Sequence, residues 1–337
     1  MERVTIDDLA ARLGLSRASV SYALNGRPGV AEETRTRVLE LADELGWQPS
    51  VSARSLSRSR ADAVGLVLIR SPEELGSEPY YMGLLSGIES ALSDAGRSLM
   101  IRFVPDVKSE ADVYRRWTAE RRVDGVILTD LRLDDPRPAL LNDLALPYLV
   151  HNGRLTERGW HFENDREARL LVDHLAGLGH SRIAHISGPI DLVHEVERRE
   201  GIRLGAEEHG MTAVSVVGDY SLDRSHDLTG ELMRQQDGLT ALIYSSDLMA
   251  VGGQAALRQL GRDDVAVVSW DDSLLCRSAR PGITALQRDP YQAGLRTATE
   301  LLEAVRRPGD AELYLVEPKP SHLAVRESSR PPGQRSE

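Results

Sequence analysis

VTIDDLAARLGLSRASVSYALNG, residues 4–26, decides how this chain is read. Thr5 followed by Asp8 has the spacing of a capping box at a helix start. Leu9, Ala10 and Leu13 then recur on one helical face. Gly14 supplies the residue that a tight turn needs, and Ser16 is placed to cap a second helix. Val20, Ala23 and Leu24 give that second helix a buried face, which leaves Arg17, Ala18, Ser19, Ser21 and Tyr22 pointing outward. Two short helices so arranged form a helix-turn-helix, whose second helix is shaped for the DNA major groove. A plain helical hairpin has the same local pattern, so the rest of the chain has to support the reading.

The chain has 337 residues, too many for one small domain. Its net charge of −11 is unevenly spread: residues 1–60 carry 9 Arg and 8 acidic residues, a net of +1, and the remainder carries −12. Within the first part, SVSARSLSRSR (50–60) holds three Arg and no acid. A locally basic segment on an acidic body suits nucleic acid, because local charge governs the encounter. Cys276 is the single cysteine, so no intramolecular disulfide forms. Acids at Glu2, Asp7 and Asp8 without an apolar h-region do not make a signal peptide. No apolar run reaches membrane-spanning length. A reducing, cytoplasmic setting with no membrane partner is the expectation.

A third amphipathic helix is predicted from Glu32 to Leu45, closed by Gly46. The polar stretch 50–60 reads as a linker, although Ala53 and Leu56 would fit one short supported helix. From about Asp62 strands and helices alternate. The predicted strands are 63–69, 98–104, 123–129, 147–152, 182–188, 213–218, 241–246 and 265–271, with a helix from about Tyr81 to Ala95. Near-continuous apolar strands separated by helices indicate parallel sheets covered on both faces. The strands are too many for one sheet, so two doubly wound lobes are expected, with ligands beyond the carboxyl ends of the strands. Ser71, Asn152, Asp247 and Asp271 stand at such ends. Charged and amide groups there suit sugar hydroxyls. They also suit the capping of the helices that follow, as Asp247 before LMAVGGQAAL shows. His180 in GLGHSRIAHI falls at a helix-to-strand turn and is read as structural. No G-x-G-x-x-G, Walker loop, zinc spacing or nucleophile elbow is present, so neither cofactor, metal nor catalytic residue is expected.

The chain resembles the LacI/GalR family of transcriptional regulators from residue 3 to about 326. The residues that carry the resemblance are the opening stretch, VAEETRTRVLELADELGWQPS, ARSLSRSR, VDGVIL, HLAGLGHSRIAHISG, the Arg198-x-x-Gly201 step, SSDLMAVGGQAALRQLG, VAVVSWDDS and Pro281 to Thr284. The order and spacing of these pieces are specific, although no one of them is decisive. The resemblance implies an all-α helix-turn-helix headpiece (1–48), a hinge helix or linker (49–61), a two-lobed α/β core like a periplasmic binding protein with doubly wound parallel sheets (62–330), and a disordered tail (331–337). Crossovers between the lobes are implied near 150–156, 283–290 and 315–320. The implied partners are a pseudo-palindromic double-stranded operator, a small effector such as a sugar or oligosaccharide, and a second copy of the chain.

Position by position, the resemblance places Arg17, Ala18 and Tyr22 at base-reading sites and Thr5, Ser16, Ser21 and Asn25 at phosphate sites. Leu56 matches a hinge leucine that wedges into the minor groove, supported by Ala53 and Arg54. Asp165, Arg198, Asp247 and Asp271 match cleft residues, and Trp270 either stacks on a pyranose or fills core. There are three departures from the family pattern. Tyr22 replaces a common Arg and cannot make the bidentate contact to guanine. Ser50 replaces an Asn. Arg166 follows Asp165 where an amide is common, which loosens the assignment of Asp165. The sequence thus predicts a ligand-responsive regulator, most simply a repressor of carbohydrate genes. The alternatives are a solute-binding module without operator function, and an α/β enzyme with a helical accessory domain.

Overall fold

The computed structural model describes residues 4–47, 60–70, 78–156, 159–162, 164–307 and 321–334, of which 154–156 and 159–161 are described by backbone alone. Two compact units divide the chain, residues 1–60 and residues 61–337.

The first unit is built as its caps and periodicity require. Helix α1 (Ile6–Leu13) opens on a reciprocal box: the Thr5 N–H donates to Asp8 Oδ2 (2.8 Å) and the Asp8 N–H to Thr5 Oγ1 (3.3 Å). Gly14 ends it in the left-handed region (φ 64°), where a side chain would be strained. Helix α2 (Arg17–Leu24) is capped by Ser16, whose hydroxyl accepts from the Ser19 N–H (3.1 Å). Helix α3 (Glu32–Glu44) lies across both, and Leu9, Ala10, Val20, Ala23, Val38 and Ala42 form the core.

The second unit holds two sheets. In chain order its elements are β1 (Ala63–Ile69), α4 (Pro79–Asp94), β2 (Ser98–Val104), α5 (Val107–Ala119), β3 (Gly125–Leu128), α6 (Arg137–Asp143) and β4 (Tyr148–Val150). A short hairpin of β5 (Arg154–Thr156) and β6 (Gly159–His161) follows. Then come α7 (Asn164–Gly177), β7 (Arg182–Ser187), α8 (Val193–Glu208), β8 (Thr212–Val217), α9 (Leu222–Gln235), β9 (Ala241–Tyr244) and α10 (Asp247–Gln259). The last elements are β10 (Ala266–Ser269), α11 (Leu274–Ser278), β11 (Thr284–Gln287), α12 (Pro290–Arg306) and β12 (His322–Ala324). The first sheet, β2-β1-β3-β4, is wholly parallel. The second, β12-β11-β10-β9-β7-β8, is parallel except for β12, which runs antiparallel to β11.

The central strands β1, β3, β9 and β10 are buried on both faces, which explains their unbroken apolar runs, while the edge strands β2 and β8 are partly exposed. Val64, Leu66 and Leu68 pack towards α4 and α12, whereas Val67, Val126 and Leu128 pack towards Tyr114, Trp117 and Leu141. In the second sheet Ala184, Ile186, Leu242 and Val267 face the α9–α10 side, and Ile183, Ile243 and Val268 face α7 and α8.

The chain leaves the second sheet after β11 and sends α12 back to the first lobe, within the 283–290 crossover expected from the sequence. There α12 meets α4 with backbone against backbone. A methyl group added at Gly87 would fall 1.9 Å from the Tyr291 carbonyl oxygen, and one at Gly294 would fall 2.2 Å from that of Leu84. Gly87→Ala is therefore expected to force the helices apart and destabilise this unit by about 1–3 kcal/mol. The change should appear as a lower urea midpoint with an unchanged slope.

At the C-terminus residues 331–334 form a turn, in which the Gln334 N–H donates to the Pro331 carbonyl (3.3 Å). The turn is held because the residues before it are anchored. Ser328 donates to the Val267 carbonyl (2.5 Å), and the Arg330 carbonyl is bonded to His180 Nε2 (2.7 Å). The 315–320 crossover and residues 335–337 lie outside the described residues.

Candidate functional site

The carboxyl ends of both sheets' strands face each other across a cleft enclosing about 820 Å³ of space, its open mouth included. One flank is closed by backbone bonds between the lobes: the Leu133 N–H donates to the Asp191 carbonyl (2.8 Å) and the Val193 N–H to the Leu131 carbonyl (2.9 Å).

The first-lobe wall begins at Arg70, one residue past β1. Its guanidinium bonds Glu78 (3.1 Å) and Asp130 (3.1 Å) and lies 4.6 Å over the Tyr81 ring. Tyr81 donates to Asp130 Oδ2 (2.6 Å). Behind them His151 is fixed by Tyr80 Oη (2.9 Å) and Thr297 Oγ1 (2.8 Å). Burial, and then the positive charge of Arg288, lower its pKa to about 3, so the ring is neutral.

The second-lobe wall centres on Arg198, which is 6 % exposed. It donates to Glu195 Oε1 (2.7 Å), the Ser245 carbonyl (3.2 Å) and Asn164 Oδ1 (3.4 Å). Asp247 opens α10 and takes the Leu248 N–H on Oδ1 (2.7 Å), while its buried Oδ2 has no hydrogen-bond partner. Burial, and then the charge of Asp271, push its pKa up to about 6. Asp271 accepts from Arg288 (3.1 Å), whose guanidinium spans to Glu167 (3.6 Å) and lies 5.1 Å over the Tyr80 ring. The cleft thus combines the aromatic side chains of Tyr80, Phe162 and Tyr220 with charged donors and acceptors held in ion pairs.

Of the effector residues expected from the sequence, Asn152, Arg198, Asp247 and Asp271 come together here. Ser71 lies outside the described residues. Asp165 is not among the residues that line this cleft. It is exposed beside an exposed Arg166, while the preceding Asn164 is buried and lines the cleft. Helix α7 starts at Asn164, and one residue's rotation along the helix carries Asp165 to the outer surface. Trp270 does not line the cleft either. Its indole is fully buried, donates to Glu167 Oε2 (3.0 Å) and is covered by the Arg198 guanidinium at 4.5 Å, so it fills core. Arg70, Tyr80, Asp130, His194, Tyr220 and Arg288 were missed. Arg70 and Asp130 directly follow the predicted strands 63–69 and 123–129, so the strand-end rule could have found them, whereas their ion pairing rests on contacts that sequence does not show. His180 bonds Thr240 Oγ1 (2.9 Å) and the Arg330 carbonyl, and is not among the cleft's lining residues.

On the headpiece, Thr5, Ser16, Arg17, Ala18, Tyr22 and Asn25 are exposed and Ser21 is half-buried. Tyr22 projects from α2 beneath the Arg27 guanidinium, 5.9 Å from its ring. The Asn25 amide donates to the Ser21 carbonyl (2.8 Å), which closes the helix. Ala53, Arg54 and Leu56 lie outside the described residues. Among the described residues no group of His, Cys, Asp or Glu is placed to hold a metal ion, and no helix is long and apolar enough to cross a membrane.

A helix-turn-helix unit joined to a two-lobed unit whose cleft is lined by charged and aromatic side chains is the build of a DNA-binding transcriptional regulator. Residues 5–50 match the family model for bacterial regulatory proteins of the lacI family, and residues 172–329 match a periplasmic binding protein-like domain. The regulator CelR of Thermobifida fusca is 34% identical over 342 residues, covering 97% of this chain and 98% of CelR. MalR of Streptomyces coelicolor is 31% identical, covering 97% of both chains. The chain belongs to the lacI family of regulators. Among solved structures, a CelR–cellobiose complex matches with a TM-score of 0.70 at 31% identity, covering 97% of this chain and all of that one. A lac repressor dimer bound to operator and the anti-inducer ONPF matches with a TM-score of 0.82 at 22% identity, over 98% and 100% of the two chains, and shares the fold.

Proposed function

We propose that this chain represses carbohydrate genes in the bacterial cytoplasm, bound as a homodimer to a pseudo-palindromic operator, with a sugar or oligosaccharide in the cleft setting operator affinity. The observation that carries the reading is the cleft's composition. The aromatic side chains of Phe162 and Tyr220 in its lining suit the apolar faces of a pyranose. The ionised groups between them suit its hydroxyls, because charge-assisted hydrogen bonds are short and directional. That the related CelR has been solved with cellobiose supports a sugar of this kind. The operator side rests on Arg17, Ala18 and Tyr22 as base readers and Thr5, Ser16, Ser21 and Asn25 as phosphate contacts. Leu56, with Ala53 and Arg54, is assigned to the central minor-groove wedge.

Selection of binding sites from random duplex DNA with the full chain tests the first half. One enriched palindrome is expected. Titrating that site in the presence of cellobiose, maltose and related sugars tests the second. A sugar coupled to the operator should change affinity about 5–150-fold. An enriched site that no sugar affects would remove the carbohydrate reading. Sugar binding without any enriched site would favour the solute-binding alternative.

Tyr22→Ala is expected to relax discrimination at the base pairs that Tyr22 meets by about 1–3 kcal/mol each. The side chain is 42% exposed, so the headpiece should keep its fold. Binding to the enriched site and to point variants of it measures the effect, and an unchanged preference removes Tyr22 from the readers.

A further inference from the structure

Glu195 is fully buried and is not among the residues lining the cleft, yet four donors converge on it. Oε1 accepts from Arg198 Nη1 (2.7 Å) and Tyr220 Oη (2.7 Å), and Oε2 accepts from Ser245 Oγ (2.8 Å) and the Gly188 N–H (3.0 Å). A carboxylate has about four lone-pair sites, and all are filled here. Burial raises its pKa, but the guanidinium of Arg198 and the bonds it accepts outweigh burial and hold it at about 2. Glu195 is therefore an acceptor and nothing else.

That fixes the protons on its neighbours. Tyr220 has one hydroxyl hydrogen, and the anion takes it. The contact of 2.8 Å between Tyr220 Oη and His194 Nε2 must then be donated by the histidine. Ser245 likewise gives its hydrogen to Glu195, so the 2.9 Å contact between Ser245 Oγ and His185 Nε2 is donated by His185. Burial lowers the two histidine pKa values to about 4, so each ring carries one proton. His185 Nδ1 is buried without a partner, which agrees with the same assignment. A bare lone pair is tolerated in the interior more readily than an orphaned N–H.

We propose that Glu195 is a positioning residue of the ligand cleft, which orients Arg198 and, through Tyr220 and Ser245, holds His194 and His185 with their protons on Nε2. His194 lines the cleft. Its Nδ1 is thereby set as the acceptor nitrogen of that ring, and the wall offers a ligand a fixed donor–acceptor pattern. The importance of that pattern for a ligand rests on the sugar reading above, whereas the proton positions do not.

Nitrogen-15 NMR of the full chain with labelled histidine tests the proposal, with His194→Gln and His185→Gln spectra assigning two of the nine histidines. The wild type at neutral pH should show both rings as Nε2–H tautomers. Glu195→Gln replaces one acceptor oxygen by an NH2 donor. Tyr220 or Ser245 must then accept from the amide and donate to its histidine, so one of the two rings changes to the Nδ1–H form. Tyr220→Phe should release His194 alone. His194 in the Nδ1–H or charged form in the wild type overturns the proposal, as does a Glu195→Gln protein in which neither ring changes. Where Glu195→Gln does not fold, the wild type and Tyr220→Phe decide. For a sugar that the wild type binds, Glu195→Gln should weaken binding tenfold or more, and unchanged affinity overturns the positioning role. A wild type that binds none of the sugars defeats the sugar reading and leaves the proton assignment to be judged by the spectra.

Discussion

Replacing Arg198 by alanine is expected to abolish the response of operator binding to ligand and to lower the stability of the second unit. Both effects come from one guanidinium. On the cleft side it is a donor at the second-lobe wall, and losing a buried charged donor costs about 2 kcal/mol or more of binding, roughly thirty-fold in affinity. On the inner side it neutralises Glu195, which is fully buried. Removing one partner of a buried ion pair costs about 3–5 kcal/mol, because the other charge stays behind without water. It also uncovers the Trp270 ring, on which the guanidinium lies at 4.5 Å. Urea unfolding should show a large fall in midpoint, and calorimetry below the new transition should show the loss of sugar affinity. Arg198→Lys separates the two effects. It keeps a positive charge for Glu195 but cannot span Glu195, Ser245 and Asn164 together. It should therefore recover much of the stability and little of the response. A normal response in Arg198→Ala would remove Arg198 from the ligand site.

Elements whose signal is local were legible in the sequence. AVGLVLI and SLMIRFV were predicted as strands 63–69 and 98–104 and are observed with those bounds; AVGLVLI is apolar throughout because β1 is covered on both faces, whereas β2 stands at the sheet edge and carries Arg102 on its exposed side. The Thr5–Asp8 box and the Ser16 cap were legible for the same reason, since each involves residues three apart. Strands β11 and β12 were not read as strands, since neither TALQ nor HLA lies in a longer apolar run of the kind that marked the similarly short β3, β9 and β10. The cleft was only partly legible. It is assembled from loops after separate strands, and a shift of one residue exchanges an inward side chain for an outward one, as between Asn164 and Asp165. Tyr80 and Phe162 carry no local signal of a site, and only the fold brings them to the cleft. Trp270 shows the converse: its place beside Asp271 suggested a stacking surface, and the structure covers its face with Arg198. Glu195 gave no sign at all, because in sequence it is one acid in an acidic amphipathic helix. Only the convergence of Gly188, Tyr220 and Ser245 from three other segments makes it distinct.

Val20→Asp is expected to end specific operator binding and to leave sugar binding intact. Val20 is fully buried at the centre of the headpiece, against a core that includes Leu9, Ala10, Ala23, Val38 and Ala42. A carboxylate placed there has no cation within the core to pair with, and an unpaired buried charge costs several kcal/mol. A unit of this size buries only about 60% of its unfolded surface and has little stability to lose. The headpiece should therefore unfold, and affinity for the selected operator should fall to the non-specific level, about a thousandfold or more. The cores of residues 61–337 share no residue with this one, so the sugar affinity should stay within about twofold, which serves as the internal control. The comparison with Tyr22→Ala separates two ways of losing operator recognition. The exposed tyrosine should cost discrimination while the headpiece keeps its helical circular dichroism, whereas the buried valine should cost the helices themselves. If Val20→Asp retained specific binding, the face of α2 packed against α1 and α3 would be the wrong one. The outward residues Arg17, Ala18 and Tyr22 would then lose their claim to the major groove.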